Sequence, residues 1–453
     1  MIFYIKNLLA QCNEAFTFCV IFPLILLLGM YLTITLRCVQ ISKLKMSFCW
    51  LLKKEAKSQG NISHYQAMAS VLAGNFGTGN ISGMAVALST GGPGALVWMW
   101  IMAFLGASIQ YASCILGVKY RIKNEEGEYV GGPMYYIQYG LRYKKIARLF
   151  AFFTVLGALA VGNFAQVNSV ILPLQKLGFP PFICGIVIAV FVALVLIGGM
   201  QRVAQLASFI VPIKAVLYLG TAIVILAMHA DKIIPSLHLM FDAALHPYST
   251  MGGIAGFTVS KAITVGFERG LFATDAGTGI VPILQSSART SNPVIDGVVT
   301  LVAPFLVMLV CTTTGLVLLV TGVWQQADLQ STNMVTQAFQ QGLGHSFGAY
   351  VVVIALILFA FTTILAWACC AEKAIRFLYG SFPSHYFKYV YIFLIPLGSI
   401  LHVDLIWQLA DISISCMLIT NLIGIAGLSG QVIRDTKEYF LSQKGVVSLN
   451  SIS

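Results

Sequence analysis

Charge is what this sequence has least of. Asp, Glu, Lys and Arg together supply 9% of its 453 residues, against about a quarter in soluble chains, which excludes an ordinary water-soluble domain. Acidic residues are the scarcer kind, 16 against 27 Lys and Arg. That basic excess is dispersed among short loops and never gathers into an arm or a face, so a nucleic-acid partner is excluded. The seven histidines are scattered, chiefly in or beside loops. No apolar run holds a His, Asp and Glu cluster at metal-binding spacing, which leaves an integral-membrane enzyme without a centre. The ten cysteines include no C-x-x-C pair; Cys19, Cys114, Cys184, Cys311, Cys369, Cys370 and Cys416 fall inside apolar runs and read as small buried hydrophobes. The first apolar run lacks a small-residue cleavage site and is read as a retained span.

What fills the chain instead is apolar: 58% hydrophobic residues and a mean hydropathy of +0.86. Runs of about 20 residues, each enough to cross about 30 Å of hydrocarbon, lie at about 16–36, 64–89, 95–118, 149–173, 182–199, 207–229, 252–288, 296–322, 347–372, 388–403 and 405–430. The expected fold is an all-α polytopic membrane protein with about 11 transmembrane helices. Placing successive loops on alternate sides tests that count. One side collects 21 of the 27 Lys and Arg, the other has Lys6, Lys176 and Lys232, and Lys214, Lys261 and Arg269 stay within spans. The positive-inside rule then puts the N-terminus outside and the C-terminus in the cytoplasm. The basic, tyrosine-rich loop from Tyr120 to Lys145 reads as an interfacial helix and turns with its tyrosines at headgroup level, a gate being the other reading.

Two runs are built to break. In GNFGTGNISG, from Gly74 to Gly83, each glycine costs a helix about 1 kcal/mol relative to alanine, and Asn75, Thr78 and Asn80 compete for backbone hydrogen bonds. Lipid cannot satisfy freed backbone, so such a break belongs inside protein or beside a water-filled cavity. Close packing alone would not call for three polar side chains. The 252–288 run repeats the pattern, with Gly266, Gly270, Gly277 and Gly279 expected to interrupt its cytoplasmic half and Phe257 to Gly266 expected near the midplane. With 16–36 set aside as a peripheral helix, the chain 1–453 divides as one transport domain into five spans (64–229), five spans (252–430) and a tail (431–453). Each half opens with a glycine-interrupted helix, and the odd number of spans inverts one half against the other. That is the pattern of an inverted-repeat transporter.

Opened half-helices offer N–H groups to a carboxylate and carbonyls to a cation, which suits a small zwitterion with Na⁺. Gly77 and Gly79 permit close approach, Thr78 can donate to a carboxylate, and the Asn75 and Asn80 amide oxygens can accept from an ammonium or ligate Na⁺. Thr362 and Thr363 offer adjacent hydroxyls for a hard cation, or bond back along their own helix. Trp367, four residues after Thr363, walls an apolar pocket or packs between helices. Gln166, on one face with Asn163, lines the pocket or ties helices together. Among ionisable residues, Lys261 is placed to meet a carboxylate at mid-depth, Arg269 to pair with Asp275, Glu372 and Lys373 at a span end, and Lys214 to snorkel.

GNFGTGNISGMA, GGPGALVWMW (Gly91 to Trp100), EYVGGPMYYI (Glu128 to Ile137), GFERGLFATDAGTG (Gly266 to Gly279), AFTTILAW with AEKA, and IWQLADISISCMLITNL, in this order over nearly the whole chain, resemble the alanine/glycine:cation symporter family. The resemblance implies a LeuT-type fold with its 5+5 inverted repeat and sodium-driven uptake of alanine or glycine by alternating access. It implies amino-acid contacts at Gly77, Thr78, Gly79, Asn80, Gln166 and Trp367, and sodium ligation by Thr362 and Thr363. Partners are then the amino acid and the bilayer, for a monomer in a bacterial inner membrane. Two readings outside sodium symport stay open: proton coupling through Glu268, and an amino-acid-gated channel or sensor. The hand of alanine is not written in the sequence. Three positions depart from the family pattern: Asn75 where some members are acidic, Asp275 where Glu is usual, and Ala366 where glycine is frequent beside Trp367.

Overall fold

The computed structural model describes residues 15–53, 59–246, 258–326, 329, 331–401 and 403–450. The expected entry of the seventh run, near Gly252 and Phe257, lies outside them, as do Lys6, Lys54 and Lys57. Among the described residues seven helices are long and apolar enough to cross a membrane: Thr17–Thr35, Ala95–Lys119, Lys144–Lys176, Gly199–Met228, Pro293–Thr321, Phe347–Tyr379 and Ile406–Gln443. The chain is therefore a mostly helical, multi-pass membrane protein. Of the four remaining apolar runs, two form the shorter helices Pro181–Leu196 and Ser381–Leu394. The other two are broken helices.

The first broken helix consists of His64–Asn75 and Gly79–Gly91. Ser63 starts it with a capping box: its hydroxyl accepts from Gln66 N, and Gln66 Oε1 accepts from Ser63 N, satisfying two donors that a helix start leaves unpaired. The second consists of Val259–Thr274 and Ile280–Gln285, with Thr258 Oγ1 accepting from Lys261 N at its start. Lys261 thus sits in the first turn. About 14 residues at 1.5 Å each separate it from the break, so it does not reach a carboxylate held there.

The breaks are also narrower than the glycine pattern predicts. Gly74 and Gly83 stay helical, and so do Gly266 and Gly270. A Cβ on Gly266 would lie 2.6 Å from Ala95 O and from Trp98 Cβ, so this glycine serves helix contact and not helix breaking. The second break is made by three left-handed residues, Asp275 (φ 49°), Gly277 (φ 92°) and Gly279 (φ 94°), the conformation that glycine and, less readily, aspartate adopt. The expected interruption therefore moves from Gly266 to Asp275.

Ala95–Lys119 is the centre of the molecule, with 89% of its apolar window buried, against 33% for Thr17–Thr35 and 28% for Gly199–Met228. Gly29 lets Thr17–Thr35 settle on Leu105, where a Cβ would lie 2.8 Å from Leu105 Cβ. The loop after Lys119 forms a two-residue antiparallel ribbon, Ile122 opposite Val130 and Lys123 opposite Tyr129, then the helix Pro133–Gly140. Here the headgroup reading needs correction: Tyr139 and Tyr143 are exposed, but Tyr135 and Tyr136 are buried. Tyr136 donates to Asn421 Oδ1 and meets Ser113 Oγ at 3.0 Å, while Asn421 Nδ2 donates to Gly277 O at 2.7 Å. The motif therefore braces the second break. Lys373 is no interfacial residue either. It is buried, and its Nζ donates to Ile283 O (2.9 Å) and Ser287 Oγ (2.7 Å), anchoring the short half-helix.

Candidate functional site

The two breaks meet. Asn75, the last residue of the first half-helix, donates its Nδ2 to Thr274 O, the last helical carbonyl before the second break, at 2.8 Å. Its Oδ1 is buried and lacks a hydrogen-bond partner among the described residues. A buried amide oxygen without a donor is costly, and an ammonium or a cation would relieve that cost. Asn80, the second residue of the second half-helix, donates to Asn75 O at 2.6 Å, and its Oδ1 is met by the Cys311 thiol at 3.4 Å, a weak donor.

Thr78 lies between the half-helices with both donors aimed one way. Its backbone N–H and its hydroxyl both give to Gln166 Oε1, at 2.9 and 3.0 Å. Gln166 is held for this by a local anomaly in Lys144–Lys176: residues Ala160–Phe164 form a π-helical turn. Such a turn disturbs the regular ladder, and Gln166 Nε2 donates to Val161 O at 3.0 Å. A side-chain amide oxygen thus takes the paired donors that a carboxylate oxygen would use. Gly77 is bare because there is no room: its Cβ would lie 3.0 Å from Gln166 Oε1 and 3.1 Å from Thr363 Oγ1. At Gly79 a Cβ would lie 2.4 Å from the Phe272 ring.

Phe347–Tyr379 brings the remaining expected residues to the same place. Thr363 Oγ1 donates to Ala73 O at 2.8 Å, across to the last turn of the first half-helix. Thr362 Oγ1 donates back along its own helix to Leu358 O and Phe359 O. Trp367 is fully buried against the π-turn, where a Cβ on Gly162 would lie 2.2 Å from Trp367 Cβ. Gly162→Ala must therefore move the tryptophan or the turn, an overpacking cost of about 1–3 kcal/mol. The expected result is a lower unfolding temperature in detergent with uptake reduced, beside an unchanged Gly220→Ala, whose added Cβ meets nothing within 4 Å. Equal stability of the two variants would remove Gly162 as a support for Trp367. Ala366 packs toward Gly74, at 3.6 Å from the position of a Cβ there. Asn163 and Asn168 tie helices together by donating to Tyr391 O and Leu401 O.

Three charged residues stand differently from their sequence reading. Arg269 does not pair with Asp275: its Nη2 meets Asp411 Oδ2 at 2.7 Å and Glu268 Oε2 at 3.9 Å. Its guanidinium lies 5.3 Å from the Trp407 ring centroid. Asp275 instead takes the left-handed position that ends Val259–Thr274. Lys214 does not snorkel. It is completely buried, and its Nζ donates to Phe76 O at 2.8 Å and to Thr362 Oγ1 at 2.5 Å. The sequence does not mark Asp411 as the partner of Arg269, or Phe76 and Thr362 as those of Lys214, because each lies more than 130 positions away.

Among the described residues no group of His, Cys, Asp and Glu is placed to hold a metal ion. The oxygens at the site are amides, hydroxyls and helix-end carbonyls, which suit a hard monovalent cation and a zwitterion.

Known proteins agree in kind. A crystallised manganese transporter of Eremococcus coleocola superposes with a TM-score of 0.51 at 13% identity, over 78% of this chain and 75% of that one, which is a likeness of fold. An uncharacterised transporter of Haemophilus influenzae is 41% identical, covering 92% of this chain and 93% of its own. The sodium/alanine symporter AgcS of Methanococcus maripaludis is 36% identical, covering 92% and 94%. Residues 2–449 match the family described as sodium:alanine symporters. With broken helices that meet around amide and hydroxyl oxygens, and with that match along nearly its whole length, the chain belongs to the sodium:alanine symporter family.

Proposed function

We propose that this protein carries a small neutral amino acid, alanine or glycine, into the cell together with sodium, by alternating access of one helix bundle against another. The observation that carries the reading is the paired donation of Thr78 N–H and Oγ–H at the junction of two broken helices. Two parallel donors beside a half-helix N-terminus are matched to a carboxylate. The unpartnered Asn75 Oδ1 suits the ammonium of the same zwitterion. Gly77, Gly79, Gln166 and Trp367 bound the space between, and Asn80, Thr362 and Thr363 surround it with oxygens for a cation. The helices arrange as a peripheral first span followed by two five-span halves, 64–229 and 252–430, of a LeuT-type inverted repeat. The N-terminus is outside and the tail cytoplasmic, in a bacterial inner membrane.

Labelled alanine uptake into proteoliposomes at fixed pH, with choline replacing sodium, tests this. Accumulation is expected in sodium and not in choline, and uptake indifferent to sodium would sink the coupling. Counterflow that overshoots equilibrium separates a carrier from a channel. Thr78→Val is expected to lower kcat/KM for alanine at least tenfold, since it removes one of two carboxylate donors. Thr363→Val is expected to raise the sodium concentration for half-maximal uptake. Wild-type sodium dependence in that variant would take Thr363 out of the ion site.

A further inference from the structure

Lys214 places its side-chain nitrogen where a cation is expected. It lies midway along Gly199–Met228, fully buried, with no carboxylate paired to it among the described residues. What surrounds its Nζ is oxygen and aromatic faces. Phe76 O, at 2.8 Å, is the carbonyl just past the C-terminus of the first half-helix, where the helix dipole is negative. Thr362 Oγ1, at 2.5 Å, spends its own proton on Leu358 O and Phe359 O and so turns a lone pair toward the lysine. The Phe359 and Phe76 ring centroids lie 4.7 and 5.8 Å away, within reach of a cation–π attraction. A helix-end carbonyl with a threonine hydroxyl is a coordination set for a hard monovalent ion. Here a side chain fills it.

We propose that the Lys214 side chain is a tethered cation that takes the place of a sodium ion between Phe76 O and Thr362 Oγ1. This rests on the cation-coupled reading of the site and narrows it: sodium carried with the amino acid binds away from Thr362, toward Thr363 and Asn80. The physical ground is exclusion. An ion bound to Thr362 Oγ1 would need the same lone pairs and the same volume as Nζ, and two like charges sharing one buried carbonyl repel strongly. The lysine also fixes the length of the contact, because its stem is anchored in a different helix from either oxygen. It thereby ties Gly199–Met228 to both the first break and Phe347–Tyr379.

The test is sodium-dependent stabilisation of the purified full chain in nanodiscs, read as unfolding temperature against NaCl with choline chloride holding ionic strength. Alanine is kept at a constant concentration. Thr362→Ala is expected to leave the wild-type sodium midpoint within twofold, whatever happens to the uptake rate. Lys214→Met, which keeps the stem and deletes the ammonium, is expected to gain an added sodium-dependent rise that the Lys214→Met/Thr362→Ala double variant lacks. A larger shift of the midpoint in Thr362→Ala, or a Lys214→Met response equal to wild type, would overturn the proposal. Should Lys214→Met fail to elute as a single species, the Thr362→Ala midpoint decides alone. The two readings fail separately. A wild type blind to sodium beside a Lys214→Met that responds upholds the tethered cation and refutes sodium coupling; sodium-driven alanine accumulation with a midpoint shifted by Thr362→Ala does the reverse.

Discussion

Arg269→Leu is expected to abolish alanine uptake and to lower the unfolding temperature more than any other single substitution considered for this chain. The guanidinium holds Asp411 at 2.7 Å and Glu268 at 3.9 Å, with the Arg269 side chain 6% and the Asp411 side chain 13% exposed. Deleting it leaves two carboxylates in a low-dielectric site, and breaking such a pair costs about 3–5 kcal/mol, a large share of the about 5–15 kcal/mol that holds a folded domain together. Arg269→Lys keeps the charge and loses the guanidinium's contact over the Trp407 ring, so an intermediate loss is expected. The double variant Arg269→Leu/Asp411→Leu is expected to regain part of the stability, since the stranded Asp411 charge leaves with its partner, while uptake stays absent. Wild-type unfolding temperature in Arg269→Leu would show that the pair is decorative. The pair links the helix ahead of the second break to the long C-terminal helix, Val403–Asn450.

Gln166→Leu is expected to reduce kcat/KM for alanine at least 100-fold. Three groups lose their partner at once: Thr78 N–H, Thr78 Oγ–H and Val161 O. Each buried group left unsatisfied costs about 1–3 kcal/mol, enough to let the first break and the π-turn rearrange. Gly77→Ala approaches the same contact from the other side, with its Cβ 3.0 Å from Gln166 Oε1. Gln166→Asn shortens the side chain and relieves that crowding, so Gly77→Ala/Gln166→Asn is expected to be no worse than the more damaged single variant. Strict additivity would sink the idea that the two residues act through one contact. Steady-state uptake in the four proteins gives the cycle.

The existence of both breaks is legible in the sequence because glycine and amide residues in an apolar run have no lipid-compatible alternative. Their edges are not. Gly277 and Gly279 supply backbone turns, Gly266 supplies closeness to Ala95, and the sequence prints the same letter for both uses. The partners of charged residues are hidden for a related reason. Lys214 could reach an interface or an oxygen cluster with equal ease as a string of letters, and only the packing of Phe76 and Thr362 on the same side of its helix settles which. Arg269 has Asp275 six positions away and Asp411 on a distant helix; the nearer carboxylate is drawn into a left-handed cap and turned away. Tyr136 reads as a membrane-surface tyrosine beside Tyr139, yet the first five residues of the helix Pro133–Gly140 are all buried, Tyr136 among them.

One close approach sets a rule for anyone who would re-engineer the carrier for bulkier cargo. At Gly79 the space a side chain would need is held by Phe272, 2.4 Å from the absent methyl. Residues 79 and 272 therefore compete for one space and are to be exchanged as a pair. Trimming Phe272 has its own consequence, because its ring lies 4.9 Å from that of Trp407, the same tryptophan on which Arg269 rests. Space opened at Phe272 is taken from the support of Trp407 and Arg269, so a smaller residue at 272 is expected to need a compensating change at Trp407.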